Sequence, residues 1–247
     1  YDNAGNVQGT DPATIQPNAV IEVKSDNAPL PSGFQGAAVV SSDQPLASVV
    51  SIKNDNVAAS VGSTTQAAYN GTSNPATTIS FPSVWRFSGI VSRVTIQNTE
   101  STTASVTVNF FDRDGNALGT CTPSLNGFGS ITYDMRTPPG CAGWGNAVAD
   151  GSITATSANL LAGASTAAWT NRAGGYQALT SADQGTVLYA PSHFRFKQNP
   201  SDAEYTLFSA INVQNTDPVN DAPIRAEYFT RGDTSGVPVK TINITVP

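Results

Sequence analysis

Charge is scarce in this sequence: Asp, Glu, Lys and Arg together make up 12% of its 247 residues. Such a chain offers no basic stripe to nucleic acid, and its formal net charge of −6 is repelled by anionic membranes. Histidine occurs once and cysteine twice, too few for a four-ligand zinc site. No apolar run approaches the roughly 20 residues of a membrane-spanning helix. No secretory signal is visible, so the chain is expected to be mature, processed, or cut from something longer. Stretches with the 3.6-residue apolar period of a helix are missing too. What remains is a core-sized hydrophobic fraction of 39% and a surface built from Thr, Ser, Asn, Gln and Gly.

The most informative stretch is 93–120, RVTIQNTESTTASVTVNFFDRDGNALGT. Val94 and Ile96 alternate with Thr95 and Gln97, and Val106, Val108 and Phe110 alternate with Thr107 and Asn109. That period-two pattern marks half-buried antiparallel strands, and DRDGN at 112–116 supplies the short polar residues and glycine of a hairpin turn. Pieces of the stretch recur. YDNAGNVQGT at 1–10 aligns with FDRDGNALGT at 111–120, and INVQNT at 211–216 followed by IRAEYF at 224–229 aligns with VTIQNT and SVTVNFF. The shift is 110 residues from Tyr1 to Phe111 and 117 from Gln97 to Gln214. A period of that size is one β-sandwich domain, not a solenoid unit.

Between these anchors the chain reads as strand–turn–strand. AVIEVK at 19–24 corresponds to SITYDM at 130–135, and the proline-rich break at 29–33 to that at 138–140. Hairpins are expected from 36–42 with 46–52, and from 151–157 with 160–169. TTISFP at 77–82 corresponds to TVLYAP at 186–191. A period does not say where a repeat begins. The domains start either at TTISFP and TVLYAP, or at Tyr1 and Phe111.

The combination GFQGAAVVSSDQPLASVV (33–50), AAYNG (67–71), the TTISFP strand and VTIQNT followed by TVNFFDRDGN resembles a tandem Ig-like repeat of long secreted surface proteins from Chloroflexi-type filamentous bacteria. The resemblance spans most of the chain, is strongest over 33–120, and rests on structural motifs that transfer no catalytic residue. In that family a module runs from the FP strand to the YNG end. It therefore implies an all-β chain of antiparallel β-sandwich modules: the C-terminal part of one (1–71), a complete one (72–180) and the N-terminal part of another (181–247). TSANLLAGAS at 156–165 and YQALTS at 176–181 depart from the SDQPLA and AYNG patterns of the first pass.

Residues with chemical potential have plainer readings. Cys121 and Cys141 lie within one module, and a disulfide closing that loop stabilises by about 3 kcal/mol in the chain-entropy model. A bridge is preferred over two buried thiols and places the chain in an oxidising, extracellular setting. The acidic pair in DRDGN suggests a calcium loop, but no glutamate closes one and DNAGN and TRGDT lack the pair, so a turn is favoured. Arg231-Gly232-Asp233, an adhesion tripeptide, occupies that same turn position. Asn70 and Asn243 head N-glycosylation acceptor patterns. His193 has no Gly-x-Ser-x-Gly elbow to serve, so no enzyme, catalytic residue, metal or cofactor is expected. Trp85, Trp144 and Trp169 read as packing residues; a glycan-stacking platform is the alternative.

A sandwich lacking strands exposes its core at about 1.5–3 kcal/mol per large apolar side chain and leaves strand edges open. The segments 1–71 and 181–247 are complementary in what they lack. Three repairs are open: completion by a neighbouring copy, closure of the two ends on each other, or continuation of the covalent chain. The first predicts an extracellular or cell-surface homopolymer, head to tail, with Val7, Ile15, Val20, Ile21, Val23, Ile211, Val213, Ile224, Tyr228, Val239, Ile242, Ile244 and Val246 at the subunit interface. A non-polymerising carbohydrate-binding or adhesive module is the alternative. Surface glycans are the partner it implies.

Overall fold

A computed structural model describes residues 1–23, 30–54, 65–87, 89–168, 173–190, 210–229 and 234–246. The strands are β1 (Val49–Asn54), β2 (Thr65–Asn70), β3 (Ala76–Phe87), β4 (Ile90–Asn98), β5 (Ala104–Asp112), β6 (Ala117–Cys121), β7 (Ser124–Leu125), β8 (Ser130–Asp134), β9 (Asp150–Ala168), β10 (Ala173–Gln177), β11 (Ala222–Tyr228) and β12 (Lys240–Val246). Among the described residues the only helical pieces are single 3-10 turns at Gly140–Ala142 and Ser181–Asp183. The protein is all-β and its ladders are antiparallel.

The long strand β9 organises the central sheet. Its first half lies between β3 and β5, and its second half is shared by β4 and β10. β6 extends the β5 side and β8 the β4 side, so the sheet curls around the core. The sequence pattern explains the curl: Ala104, Val106, Val108 and Phe110 of β5 and Val94 and Ile96 of β4 all turn inward, on alternating positions. They meet Ile79, Phe81, Val84, Ile153 and Leu161, each at most 1% exposed. Burying a side chain of this size contributes about 1.5–3 kcal/mol. Phe110 meets Tyr133 edge-on, with ring centroids 5.4 Å apart. The cluster of buried apolar residues runs from Ile79 to Ala178. Outside it, β1–β2 and β11–β12 form separate two-stranded sheets.

Several expected strands take another form. Residues 151–157 and 160–168 are one continuous strand, β9, instead of a hairpin; with a neighbour on each flank along both halves, no turn is needed between them. Trp85 lies within β3, which continues past the TTISFP stretch to Phe87. Residues 19–23, 36–42, 186–190 and 211–216 form no ladder beyond a single bridge between Asp2 and Gly36. Their counterparts in the central sheet are strands because each has a partner strand to pair with, β8 at the edge against β4 and the others between two neighbours. Where the described residues supply no partner, β-branched alternation alone does not make a strand.

Candidate assembly surfaces

The repeat seen in the sequence is present in the hydrogen bonds. In the turn at 2–6 the amide of Asn6 donates to Asp2 Oδ1 at 2.9 Å and its side-chain amide to Asp2 Oδ2 at 3.1 Å. At 112–116, Asn116 does the same to Asp112 at 2.9 and 2.9 Å. The glycines, Gly5 and Gly115, have φ of 85° and 80°. The Asp112 carboxylate is thus engaged by its own turn.

Farther along, Asn18 and Phe128 are the described non-glycine residues with positive φ, at 63° and 60°. Each closes an identical turn: Ala19 N–H donates to Gln16 O at 3.0 Å and Gly129 N–H to Asn126 O at 3.0 Å. The β1–β2 ladder repeats the β9–β10 ladder rung for rung. Tyr69 pairs with Val50 as Tyr176 pairs with Ser165, and Gly71 N–H donates to Ser48 O as Ala178 N–H donates to Gly163 O.

Near the C-terminus, Asn215 repeats Asn98. Asn98 is fully buried and its side-chain amide donates to the carbonyls of Thr102 (2.6 Å) and Asn126 (3.0 Å); that of Asn215 donates to Asn220 O at 2.7 Å. Each side-chain oxygen accepts from the amide two residues on, Glu100 at 3.1 Å and Asp217 at 3.1 Å.

The local structures agree, but their surroundings do not. On β5 the inward face of Ala104, Val106, Val108 and Phe110 is closed to solvent. The corresponding face of β11, Ala222, Ile224, Ala226 and Tyr228, is half-buried. Val7, Ile15, Ile21, Val23, Ile211, Val213, Val239, Ile242 and Ile244 are exposed, Val20 is 91% exposed, and Val246 is half-buried. Tyr189, which matches Ser80 of β3, is 90% exposed. These residues belong to the segments that precede and follow the central sheet in the chain, and Ile224 faces Ile244 across the β11–β12 ladder.

One contact joins a flanking turn to the central sheet. Ser130 N–H donates to Asn3 O at 3.2 Å, Ser130 Oγ bonds Asn3 Oδ1 at 3.1 Å, and Asn126 Nδ2 donates to Ala4 O at 3.0 Å. The rings of Tyr1 and Phe128 lie 4.9 Å apart.

The remaining candidates are placed as follows. Cys121 and Cys141 form a disulfide. Trp144 is buried, its indole N–H donating to Val148 O at 2.9 Å, and Trp85 is half-buried. His193, Trp169 and Arg231-Gly232-Asp233 lie outside the described residues. Asn70 ends β2 and Asn243 lies in β12. Arg136, with Arg93, holds the Asp134 carboxyl well below the usual carboxylate range. Burial pushes the Tyr133 and Tyr176 hydroxyls up to about 12. The role of Asn98 has a signal in the sequence, its recurrence as Asn215 in the second QNT triplet; Asn18 has none, since its counterpart is Phe128. Comparison with protein-family models, curated proteins and solved structures found no match.

Proposed function

We propose that this chain is a structural subunit of an extracellular bacterial filament, fimbria or surface stalk, built from Ig-like β-sandwich repeats. Its flanking segments are completed by β-strands from a neighbouring copy of the same repeat. The observation that carries this reading is the β11 face: Ile224, Ala226 and Tyr228 occupy the positions of fully buried Val106, Val108 and Phe110, yet remain partly open.

The β5–β9 ladder supplies the register. Val106 faces Ser157, Val108 faces Ala155 and Phe110 faces Ile153. Transferred to two copies, Ile224 of the donor faces Ser42 of the acceptor, Ala226 faces Val40, and Tyr228 faces Ala38. The next rung already exists in the acceptor, where Tyr1 N-terminal nitrogen donates to Ala37 O at 3.0 Å and Ala37 N–H donates to Tyr1 O at 3.0 Å. β12, paired with β11, takes beside the donor strand the position that β6 takes beside β5. Segments 186–190 and 211–216 supply the other two strands. Main-chain hydrogen bonds then give affinity and the buried alternate side chains give register. A heterologous contact that does not close propagates as a fibre.

Light scattering behind size-exclusion chromatography, with electron microscopy of the same fractions, tests the reading. End-to-end oligomers that lengthen with concentration support it. A monodisperse monomer at every concentration, its segments 36–42 and 211–216 slow to exchange amide hydrogens, sinks it.

A further inference from the structure

We propose that the turn at 112–116 of one copy docks on the turn at 16–20 of a second copy, repeating between molecules the contact that the turn at 2–6 makes with the turn at 126–130 within the chain. This inference rests on the strand-completion reading above.

The template contact has two halves. One is a tight Asp-to-Asn hairpin turn that presents the carbonyls of Asn3 and Ala4. It needs glycine at its fourth residue, since a Cβ on Gly5 would lie 2.1 Å from Gly127 O. The other half is the positive-φ turn around Phe128, which presents the Ser130 N–H and the Asn126 amide.

Each half has a duplicate in the chain, matched in hydrogen bonds and in backbone angle: the turn at 112–116 and the turn at 16–20. Residues 113–116 and 16–20 are exposed. The first turn belongs to the central unit. The unit that follows it draws its positive-φ turn, on strand completion, from residues 16–20 of the next copy. At the constant shift of 110, Gln16 takes the place of Asn126 and Val20 that of Ser130. The Gln16 side-chain amide then donates to Asp114 O, and Val20 N–H to Arg113 O. Gly115 gives the close approach that Gly5 gives in the template. With Asn18 in place of Phe128, the ring contact is replaced by a polar one.

Mixed-copy cross-linking tests this. One copy carries Asp114→Cys and the other Gln16→Cys, so that a bond between the new cysteines can form only between molecules. Ala4→Cys with Asn126→Cys in one chain reports the template contact. Ala226→Cys in one copy with Val40→Cys in another reports strand completion. The expected result is a covalent dimer on non-reducing gels from the 114/16 mixture. It is lost in a Gly115→Asn background, because asparagine keeps the positive-φ turn but fills the space the approach needs. If the 226/40 pair links and the template pair closes while 114/16 does not, the docking is overturned and strand completion stands. If neither intermolecular pair links, both fall. If the template pair fails to close, the contact being copied is not formed in solution and the inference is overturned.

Discussion

Gly151 lies directly under Phe111: a Cβ on that glycine would stand 2.0 Å from the Phe111 carbonyl oxygen. The same relation holds between Gly36 and Tyr1, at 2.1 Å. Gly151 closes the last rung of the β5–β9 ladder, opposite Asp112, and Gly36 forms a single bridge with Asp2. Each also lies near an aromatic ring, with Trp144 3.0 Å from one virtual Cβ and Phe34 2.7 Å from the other. Substituting Gly151→Ala forces backbone apart from backbone in a closed core, and such overpacking costs about 1–3 kcal/mol. Urea denaturation of the variant reads that loss. Gly36→Ala, in an exposed segment, leaves the same transition in place.

Asn98 is the second position where a single change is costly. Its side-chain amide donates to the carbonyls of Thr102 and Asn126, which Asn159 Nδ2 and the Gly129 N–H also reach, and its oxygen accepts from the Glu100 N–H. Asn98→Ala removes these three bonds from a fully buried position, at about 0.5–1.5 kcal/mol for each. Asn215→Ala removes the same pattern from a half-open setting. Its expected effect is on assembly, read by light scattering, with the denaturation midpoint of the central sheet unchanged.

Alkali should unfold the central sheet in a defined window. Burial raises the Tyr133 and Tyr176 hydroxyls from 10.0 to about 12. A group whose folded pKa is raised contributes its full stability below the unfolded pKa and loses it as pH rises through the folded value. Stability is therefore level up to about pH 10 and falls between pH 10 and 12. Ultraviolet titration of the tyrosines alongside circular dichroism checks this. Tyr176→Phe removes part of the fall; it also removes the bonds with Ser83, whose amide donates to the hydroxyl at 3.1 Å and whose carbonyl accepts from it at 2.8 Å.

Much of the fold was legible because local and global signals coincide in the central sheet. Val94, Ile96, Val106, Val108 and Phe110 alternate in sequence and turn inward in β4 and β5. DRDGN reads as a turn and is one. The same reasoning failed at 19–23 and 211–216, where the alternation is just as clear. A strand is a property of a pair, and the partner is not written in the strand's own residues. SANL at 157–160 reads as a turn and predicts a hairpin where the single strand β9 runs through. In fact Ser157 and Asn159 use their side chains locally, Asn159 bonding Thr102. The recurrence of Asp2 and Asn6 as Asp112 and Asn116, and of Asn98 as Asn215, is legible in the sequence; the match of Asn18 with Phe128 shows only in the backbone angle and the hydrogen bonds.

Hydrogen–deuterium exchange at 36–42, 211–216 and 222–228, followed from dilute to concentrated protein, tests strand completion most directly. Completion by a neighbouring copy predicts fast exchange at all three segments in the dilute monomer and joint protection as oligomers form, alternating along each segment in the register of β5 against β9. Exchange that stays fast in fully assembled material, or protection already complete in an isolated monomer, would contradict it.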